Sequence, residues 1–423
     1  MSATGKEVSG APNGAVDNLP TGIQLTAFDE TFRADPYPVL KQLRSREPVH
    51  RDQQLKRWFV TRHETVRELL RNKELSVDFS TAHRDSYAGR QYAGFLASGL
   101  SIGTRSMLVK DDPEHRRLRS LLTKSFLPKA LEARRATIRA NVREVLDTLT
   151  ENRFDVVSSY AGPVPVIIIA EMLGIEPRDR GIFRKWSLDI TGAFFNPLKI
   201  AERIERGARA ERELGDYLSR VIATRKNQRE GSDLISRMLA EDDPVNPLSE
   251  EQFLTQCMLM LVAGNVTTSN LIATAIKALL LHPQQLATLL ANPDLIGNAV
   301  EEVLRFDGPI VQTNRILKAD TTIAGCPMHA GESITVSTAA ANRDPDLNPD
   351  PDRFNIQRQN IEHHAFGGGV HLCLGAHLAR IEAQEAVLGL LQRFPNLVLE
   401  DQPFEYKAVP ATRELSALWL RRG

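Results

Sequence analysis

Phe366-Gly-Gly-Gly-Val-His-Leu-Cys373-Leu-Gly375 is the stretch of sequence that best predicts the fold. Its glycines allow tight turns and let the backbone approach a bulky, flat ligand closely. From Leu374 onward, apolar residues recur at the spacing of one helix face, so Cys373 is predicted to lie where a glycine-rich loop becomes a helix N-terminus. Exposed N–H groups and the helix dipole at such a terminus stabilise a thiolate. The loop therefore predicts a thiolate that binds a metal.

Several kinds of site can use a cysteine in this position. Zinc would require further Cys or His ligands at short spacing, and His371 without a second pair nearby is a poor match. Haem iron needs only one protein ligand on this side. A catalytic Cys–His pair would need a base and an orienting group that the sequence does not suggest, and a structural cysteine prefers apolar surroundings. The residues alone favour haem iron and leave the other readings open.

The pattern F-G-x-G-x-H-x-C-x-G followed by A-x-L-A-R resembles the haem-ligating signature of the cytochrome P450 family. This resemblance implies that the cofactor is haem b (iron protoporphyrin IX), that Cys373 is its metal ligand, and that the loop around this cysteine shapes the cofactor site. The positions that match the signature are Phe366, Gly367, Gly369, His371, Cys373, Gly375, Ala376, Leu378, Ala379 and Arg380.

Four residues resemble the family's contacts to the haem propionates, which are buried carboxylates that cationic or hydrogen-bonding side chains neutralise. His115 and Arg119 are four positions apart, which places them on one helix face. Arg315 fits a third propionate contact and His371 a fourth. The resemblance therefore predicts that these four side chains hold the cofactor.

Glu302-Val-Leu-Arg305 resembles the family's E-x-x-R motif, whose spacing lets a carboxylate and a guanidinium meet on one helix face. Any helix can carry such a pair by chance. The downstream segment from Asn348 to Arg358 resembles the family's loop that completes this ion-pair network, and we assign the completing role to Arg353. We expect this triad to support the fold and to take no part in the reaction.

A long helix is predicted by Ser249 and Gln252, which form a capping box, and by Pro283, which ends the helix after Leu281. Its length of roughly 50 Å would cross the whole protein.

Within that helix, Ala263-Gly264-Asn265-Val266-Thr267-Thr268 resembles the family's oxygen-binding groove. Gly264 leaves room where dioxygen must lie. A threonine can bond to the carbonyl one turn back, so Thr267 is the predicted proton-relay residue.

One position departs from the family pattern: Val266 stands where the family usually has Asp or Glu, and it cannot pass a proton. Either solvent, Asn265 or Thr268 completes the relay, or the reaction needs less proton delivery. A similar acid-free groove occurs in the family's fungal nitric oxide reductases, which take electrons directly from a nicotinamide nucleotide. Nitric oxide reduction with NADH is therefore an alternative, and a non-catalytic haem sensor or accessory protein is another.

The resemblance implies a monooxygenase that inserts one atom of O2 into a lipophilic small molecule. An apolar pocket would bind such a substrate by burial. Electrons would come from NAD(P)H through a separate ferredoxin and its reductase, and Arg116, Arg117 and Lys124 could dock an acidic electron carrier. The pocket candidates are Ile310, Val311, Phe194 and Leu415.

Charge and composition narrow the remaining possibilities. The 53 basic and 53 acidic side chains cancel, which argues against a nucleic-acid partner. The longest apolar stretches, residues 164–170 and 257–264, are shorter than the ~20 residues of a spanning helix, so we expect no membrane anchor. We interpret residues 1–25 as a flexible leader. We expect the protein to be cytoplasmic and of bacterial type. Residues 26–423 are predicted to form one cytochrome P450 domain, mainly α with small β-sheets.

Overall fold

The computed structural model describes residues 19–194, 201–228 and 231–423, and helices dominate all three ranges. The helices are α1 (Glu30–Ala34), α2 (Tyr37–Arg46), α3 (His63–Arg71), α4 (Tyr87–Ser98), α5 (Ile102–Arg105), α6 (Glu114–Thr123), α7 (Pro128–Glu132), α8 (Arg135–Asp147), α9 (Pro163–Met172), α10 (Arg180–Phe194), α11 (Ala201–Gln228), α12 (Leu234–Glu241), α13 (Glu250–Leu281), α14 (Pro283–Ala291), α15 (Ile296–Asp307), α16 (Thr338–Asn342) and α17 (Ala376–Arg393). The strands are β1 (Val49–Asp52), β2 (Arg57–Val60), β3 (Leu75–Ser76), β4 (Arg153–Asp155), β5 (Thr313–Leu317), β6 (Thr321–Ile323), β7 (Cys326–Met328), β8 (Ser333–Val336), β9 (Leu397–Leu399) and β10 (Trp419–Arg422).

The strands form small sheets, as the sequence predicts. The largest has the order β1-β2-β8-β5-β3, and the others have the orders β4-β10-β9 and β6-β7. Strands β2 and β8 pair in parallel, whereas β5 pairs antiparallel with β8 and places Arg315 opposite Ile334. The large sheet thus joins an early segment of the chain to a late one.

Helix α13 has the predicted ends. The Ser249 hydroxyl accepts the N–H of Gln252, and the Gln252 side chain accepts the N–H of Ser249, which completes the capping box. By length and composition α13 could cross a membrane, but 72% of its most apolar window is buried inside the protein. A core helix needs the same composition, so this feature is weak grounds for a membrane span.

Helix α17 starts three residues after Cys373 and packs against α8 and α13. Leu378, Ile381 and Leu391 of its predicted apolar face are buried, whereas Leu388 is half-buried. The same hydrophobic cluster includes side chains from Leu100 to Leu420, so α17 and α13 share one core. This packing fixes the position of the cysteine loop.

The predicted leader is partly wrong at its C-terminal end. Residues Gly22–Leu25 form a turn of 3-10 helix, and Leu25 is fully buried. The Thr21 hydroxyl and the Gly22 N–H both donate to Asp52 at 2.9 Å, which fixes the segment to β1. Residues 1–18 of the predicted leader lie outside the described residues. The extent of a single domain over residues 26–423 stays a prediction.

Candidate functional site

The cysteine loop depends on two glycines with positive φ. Gly367 has φ +73° and Gly369 has φ +65°, a region that other residues rarely adopt. A Cβ on Gly369 would also lie 2.7 Å from the carbonyl oxygen of Leu70, so the loop approaches α3 too closely for a side chain. The Cys373 N–H donates to the Phe366 carbonyl at 2.9 Å and closes the loop. The sulfur is thereby held just before the first turn of α17.

The Cys373 side chain is exposed on the loop, although protein surrounds it at longer range. Burial by that protein raises the pKa of the thiol, and the Gly375 N–H and the charges of Arg119 and Arg380 only partly oppose the rise. The Gly375 N–H favours the thiolate, as predicted, but its effect is smaller than that of burial. A bound metal cation would be needed to favour it.

Arg380 braces the loop from α17. Its guanidinium lies over the Phe366 ring, 4.5 Å from the centroid, and its Nε donates to Glu301 Oε1 at 2.6 Å. Burial acts to raise the pKa of Glu301, but hydrogen bonds and charges from Arg380 and His363 outweigh it and lower the pKa to about 2. The loop is thus attached to α15 by an ionised pair.

The four predicted propionate contacts come together. The rings of His115 and His371 lie 4.1 Å apart, and Arg119 Nη2 donates to the carbonyl of Leu372 at 2.8 Å. Burial lowers the pKa of His371 to about 3, and the positive charges of His115, Arg315 and Arg119 add to the effect. Helix α6 and strand β5 therefore bring the cations Arg119 and Arg315 to one place beside the cysteine loop.

Arg315 shows what this cluster lacks. Its side chain is 5% exposed, and burial lowers its pKa to about 10. Among the described residues no carboxylate lies within 4.0 Å of it, and its Nη1 donates only to the carbonyl of Asn314. Buried cations are normally paired with anions. An anionic ligand with more than one carboxylate fits this arrangement.

Helix α13 presents a small, open surface in its middle. Most of its side chains are buried, yet Ala263 and Gly264 are exposed and Thr267 is half-buried. A Cβ built on Gly264 would meet nothing within 4 Å. The Thr267 hydroxyl donates to the carbonyl of Ala263 at 2.9 Å, as predicted. Together with Cys373 and the cationic cluster, this surface fits haem b, which has a flat macrocycle, an iron and two propionates.

Comparisons with known proteins agree with this geometry. Residues 184–409 match the family model described as Cytochrome P450. The chain is 36% identical over 416 residues to "Cytochrome P450 monooxygenase PikC" from Streptomyces venezuelae, which covers 95% of this chain and 94% of that protein. This chain belongs to the cytochrome P450 family.

Solved P450 structures share the fold. "P450BioI in complex with hexadec-9Z-enoic acid ligated Acyl Carrier Protein" matches with a TM-score of 0.83 and 32% identity over 93% of this chain and 99% of that one. "Epothilone D-bound Cytochrome P450epoK" matches with a TM-score of 0.86 and 26% identity over 94% and 98%. The chain is a P450 monooxygenase, and its cofactor is haem b.

The structure bears on two predicted members of the proton relay in this P450, Asn265 and Thr268. Asn265 is 2% exposed, and its Nδ2 donates to Ser187 Oγ on α10 at 2.8 Å. It lies about 200° around the helix from Ala263. The structure therefore contradicts the prediction that Asn265 delivers protons. Val266 and Thr268 are 9% and 3% exposed, so neither shares the open surface of Ala263 and Gly264.

The E-x-x-R pair forms as predicted, but its third member is different. Arg305 makes two hydrogen bonds to Glu302, at 2.7 and 2.8 Å, and both side chains are fully buried. Arg358 Nε donates to Glu302 Oε2 at 3.2 Å. Arg353 contributes only its backbone carbonyl, which accepts from Arg305 at 3.1 Å, while its side chain is exposed. The prediction for Arg353 is wrong, because Arg358 supplies the guanidinium.

The pocket candidates divide into two groups. Phe194 is half-buried and stacks on Phe95 of α4 with ring centroids 4.7 Å apart, and Ile310 is also half-buried. Leu415 is 1% exposed within the main core. Val311 packs with Leu25, with Phe32 of α1 and with Leu40 of α2. All four residues remain predicted pocket contacts, and Phe194 and Ile310 are the more accessible of them.

Proposed function

We propose that Cys373 is the iron ligand of a haem-thiolate monooxygenase that oxidises a lipophilic small molecule. The observation that carries the proposal is the exposed Cys373 at the end of a glycine loop, with the cations Arg119 and Arg315 and the imidazole of His115 beside it. When bound, haem supplies the oxygen chemistry, in which one atom of O2 enters the substrate and the other leaves as water. The protein supplies ligation, charge balance and a proton path.

The chain's own residues then have distinct roles. Arg119, Arg315, His115 and His371 would hold the propionates, and Phe366, Gly367 and Gly375 would shape the loop around the sulfur. The small residues Ala263 and Gly264 would keep side chains away from the site of oxygen binding. Each role follows from where the side chain lies relative to the cysteine loop and the open surface of α13.

Thr267 is the proposed proton donor on the oxygen side. Its hydroxyl is bonded to the Ala263 carbonyl and is half-buried, so it can accept a proton from solvent while it donates another. We expect Thr267→Ala to divert reducing equivalents into hydrogen peroxide. The yield of product per NADPH should fall while haem binding and NADPH consumption remain.

The relatives support a proposal for the substrate, and exposed basic residues near α6 support one for the electron source. Two similar P450 structures hold hexadec-9Z-enoic acid ligated to an acyl carrier protein and epothilone D. We propose a lipophilic biosynthetic substrate and electrons from a cytoplasmic ferredoxin and its reductase. Of the basic residues suggested for docking, Arg116 and Lys124 are mostly exposed, although they pair with Asp112 and Glu241 respectively.

The ligand assignment has a direct test. Cys373→His should give a reduced carbonyl adduct with imidazole-type absorption, whereas the wild type should show the thiolate type. Cys326→Ser is the control, because Cys326 lies in β7, far along the chain from the loop, and should leave the spectrum unchanged. A wild-type adduct of the imidazole type would refute the ligand assignment.

The reaction is tested by reconstitution with ferredoxin, reductase and NADPH. Fatty acids and macrolactones are first screened for a low-to-high-spin shift, and the best ligands are assayed for oxygenated product. Val266→Asp is assayed beside the wild type to measure what the missing carboxylate does to coupling. Rapid NADH consumption with nitric oxide and no ferredoxin would contradict the monooxygenase proposal in favour of nitric oxide reduction.

A further inference from the structure

A buried hydrogen bond joins α10 to the middle of α13. Asn265 Nδ2 donates to Ser187 Oγ at 2.8 Å, and the two residues are 2% and 0% exposed. Asn265 directly follows Gly264 and precedes Thr267 by two positions. The bond is therefore made from the same helical turn that carries the open surface and the proposed proton donor.

A neighbouring hydroxyl on α10 provides a comparison for this bond. Thr191 lies one turn after Ser187 on α10, is 6% exposed, and has no hydrogen-bond partner for its Oγ1 among the described residues. The two hydroxyls therefore share a face of α10 and a similar degree of burial, but only Ser187 meets Asn265. An amide and a hydroxyl buried without a partner are destabilising, so loss of the Ser187 hydroxyl should cost stability, whereas loss of the Thr191 hydroxyl should not.

Helix α10 also carries one of the predicted pocket residues. Phe194, two turns after Ser187, stacks on Phe95 of α4, and Phe95 in turn contacts the edge of Phe79 at 5.8 Å. One helix thus contacts α4 through Phe194 and the buried side of α13 through Ser187. Loss of the bond to Asn265 would therefore loosen α10 as well as the middle of α13.

We propose that Asn265 is a positioning residue, whose bond to Ser187 of α10 fixes the geometry of the turn containing Gly264 and Thr267. The proposal rests on the proposed function, because it assigns that geometry to proton delivery in the monooxygenase reaction. Asn265 itself faces α10 and not the open surface of α13. Its effect is to hold the proton-delivering turn in place against α10.

The test compares two hydroxyl deletions on the same helix face in the haem-loaded enzyme. Ser187→Ala removes the bonded hydroxyl, and Thr191→Val removes the unbonded one with little change in shape. Hydrogen exchange is measured over α10 and over residues 262–268. We expect Ser187→Ala to accelerate exchange about fivefold to tenfold in both regions, the scale of one buried hydrogen bond, and Thr191→Val to leave it unchanged.

The second measurement is the coupling of the reaction, which is the amount of product formed per NADPH consumed. With a lipophilic substrate, ferredoxin and NADPH, Ser187→Ala should lower the product formed per NADPH at least twofold and raise hydrogen peroxide, whereas Ser187→Thr should restore coupling. Asn265→Leu should add no further loss to Ser187→Ala, since both changes remove one bond.

The outcomes separate the two proposals. If the wild type makes no product, the proposed function fails, but the exchange experiment still tests the helix connection. The positioning role is refuted if Ser187→Ala and Thr191→Val behave alike, or if exchange rises in α10 alone and coupling stays at the wild-type value.

Discussion

The Glu302 cluster and the Arg315 cluster both bury charged side chains, but they balance those charges differently. Glu302 accepts from both Arg305 and Arg358, and three backbone carbonyls accept further donors of Arg305. Arg315, by contrast, is buried without a carboxylate within 4.0 Å among the described residues. The first cluster is complete within the chain, and the second is complete only with an anionic ligand.

This difference separates structural charges from binding charges. Taking an ion out of water is costly unless a partner compensates it. A buried network with internal partners can stabilise one arrangement of the fold, whereas buried cations without partners weaken the unliganded protein and gain from binding. Variants of the two clusters should therefore differ in which state they destabilise.

The largest effect is expected for Glu302→Gln. The change leaves the buried guanidinium of Arg305 without its charged partner, and breaking a buried pair costs about 3–5 kcal/mol. Chemical denaturation should show this loss with and without haem. Equal stability to the wild type would contradict a structural role for the cluster.

Arg315→Gln should show the opposite pattern. Haem affinity should fall about 30-fold, which is about 2 kcal/mol for one charge-assisted hydrogen bond. The unliganded protein should be as stable as the wild type or more stable, because an unpaired buried cation has been removed. Absorbance titration of the haem-free protein with haemin measures the first quantity and thermal unfolding the second. If Arg315→Gln lost stability but kept its haem affinity, Arg315 would have a structural role like that of the Glu302 cluster.

Arg358→Met sharpens the comparison inside the first cluster, with Arg353→Met as its control. Arg358→Met removes the hydrogen bonds to Glu302 and should lower the free energy of unfolding by about 2 kcal/mol. The Arg353 side chain is exposed, and its carbonyl remains in the variant, so the change should cost less than about 0.5 kcal/mol. If Arg353→Met lowered the free energy of unfolding more than Arg358→Met, the sequence-based assignment of Arg353 to the ion-pair network would be correct.

The smallest effect is expected for Glu211 on α11. Its side chain is a buried carboxyl group, whereas Arg315 is a buried cation. Glu211 is 8% exposed and accepts the Ser101 N–H at 2.8 Å, while its Oε2 has no partner. Burial raises its pKa above the ordinary 4.5, although hydrogen bonds from Ser101 and the charge of Arg105 oppose the rise.

The raised pKa sets the sign of its pH dependence. The folded state keeps the Glu211 proton at pH values where the unfolded chain has lost it, so stability from this group declines as the pH rises above 4.5 through the raised pKa. Glu211→Gln should remove that decline and leave a flatter profile of unfolding free energy against pH. A steeper profile in the variant would contradict the raised pKa.

Sequence reasoning predicted features that depend on local spacing. The capping box at Ser249, the end of α13 at Leu281 and the loop before α17 all follow from rules that act within a few residues. The pairing of Glu302 with Arg305 follows from helix geometry in the same way. Family resemblance supplied the cationic cluster, whose members are far apart in sequence.

Features that depend on tertiary packing were not predicted. Arg353 and Arg358 lie in an irregular loop, where no periodicity tells which side chain turns inward. Burial of Cys373 raises its pKa despite the favourable backbone groups, and only the packed structure shows the balance. The orientation of Asn265 was accessible, because helical geometry already places it opposite the face shared by Ala263 and Thr267.

The parallel pairing of β2 with β8 has a consequence for how the protein is made. Their partners Arg57 and Ser333 are separated by most of the chain, so closing the sheet requires a long loop and is expected to be slow. Arg315 reaches the site only through β5, which pairs with β8, and Cys373 is synthesised later still. We therefore expect haem to bind late in folding, after most of the polypeptide has emerged from the ribosome.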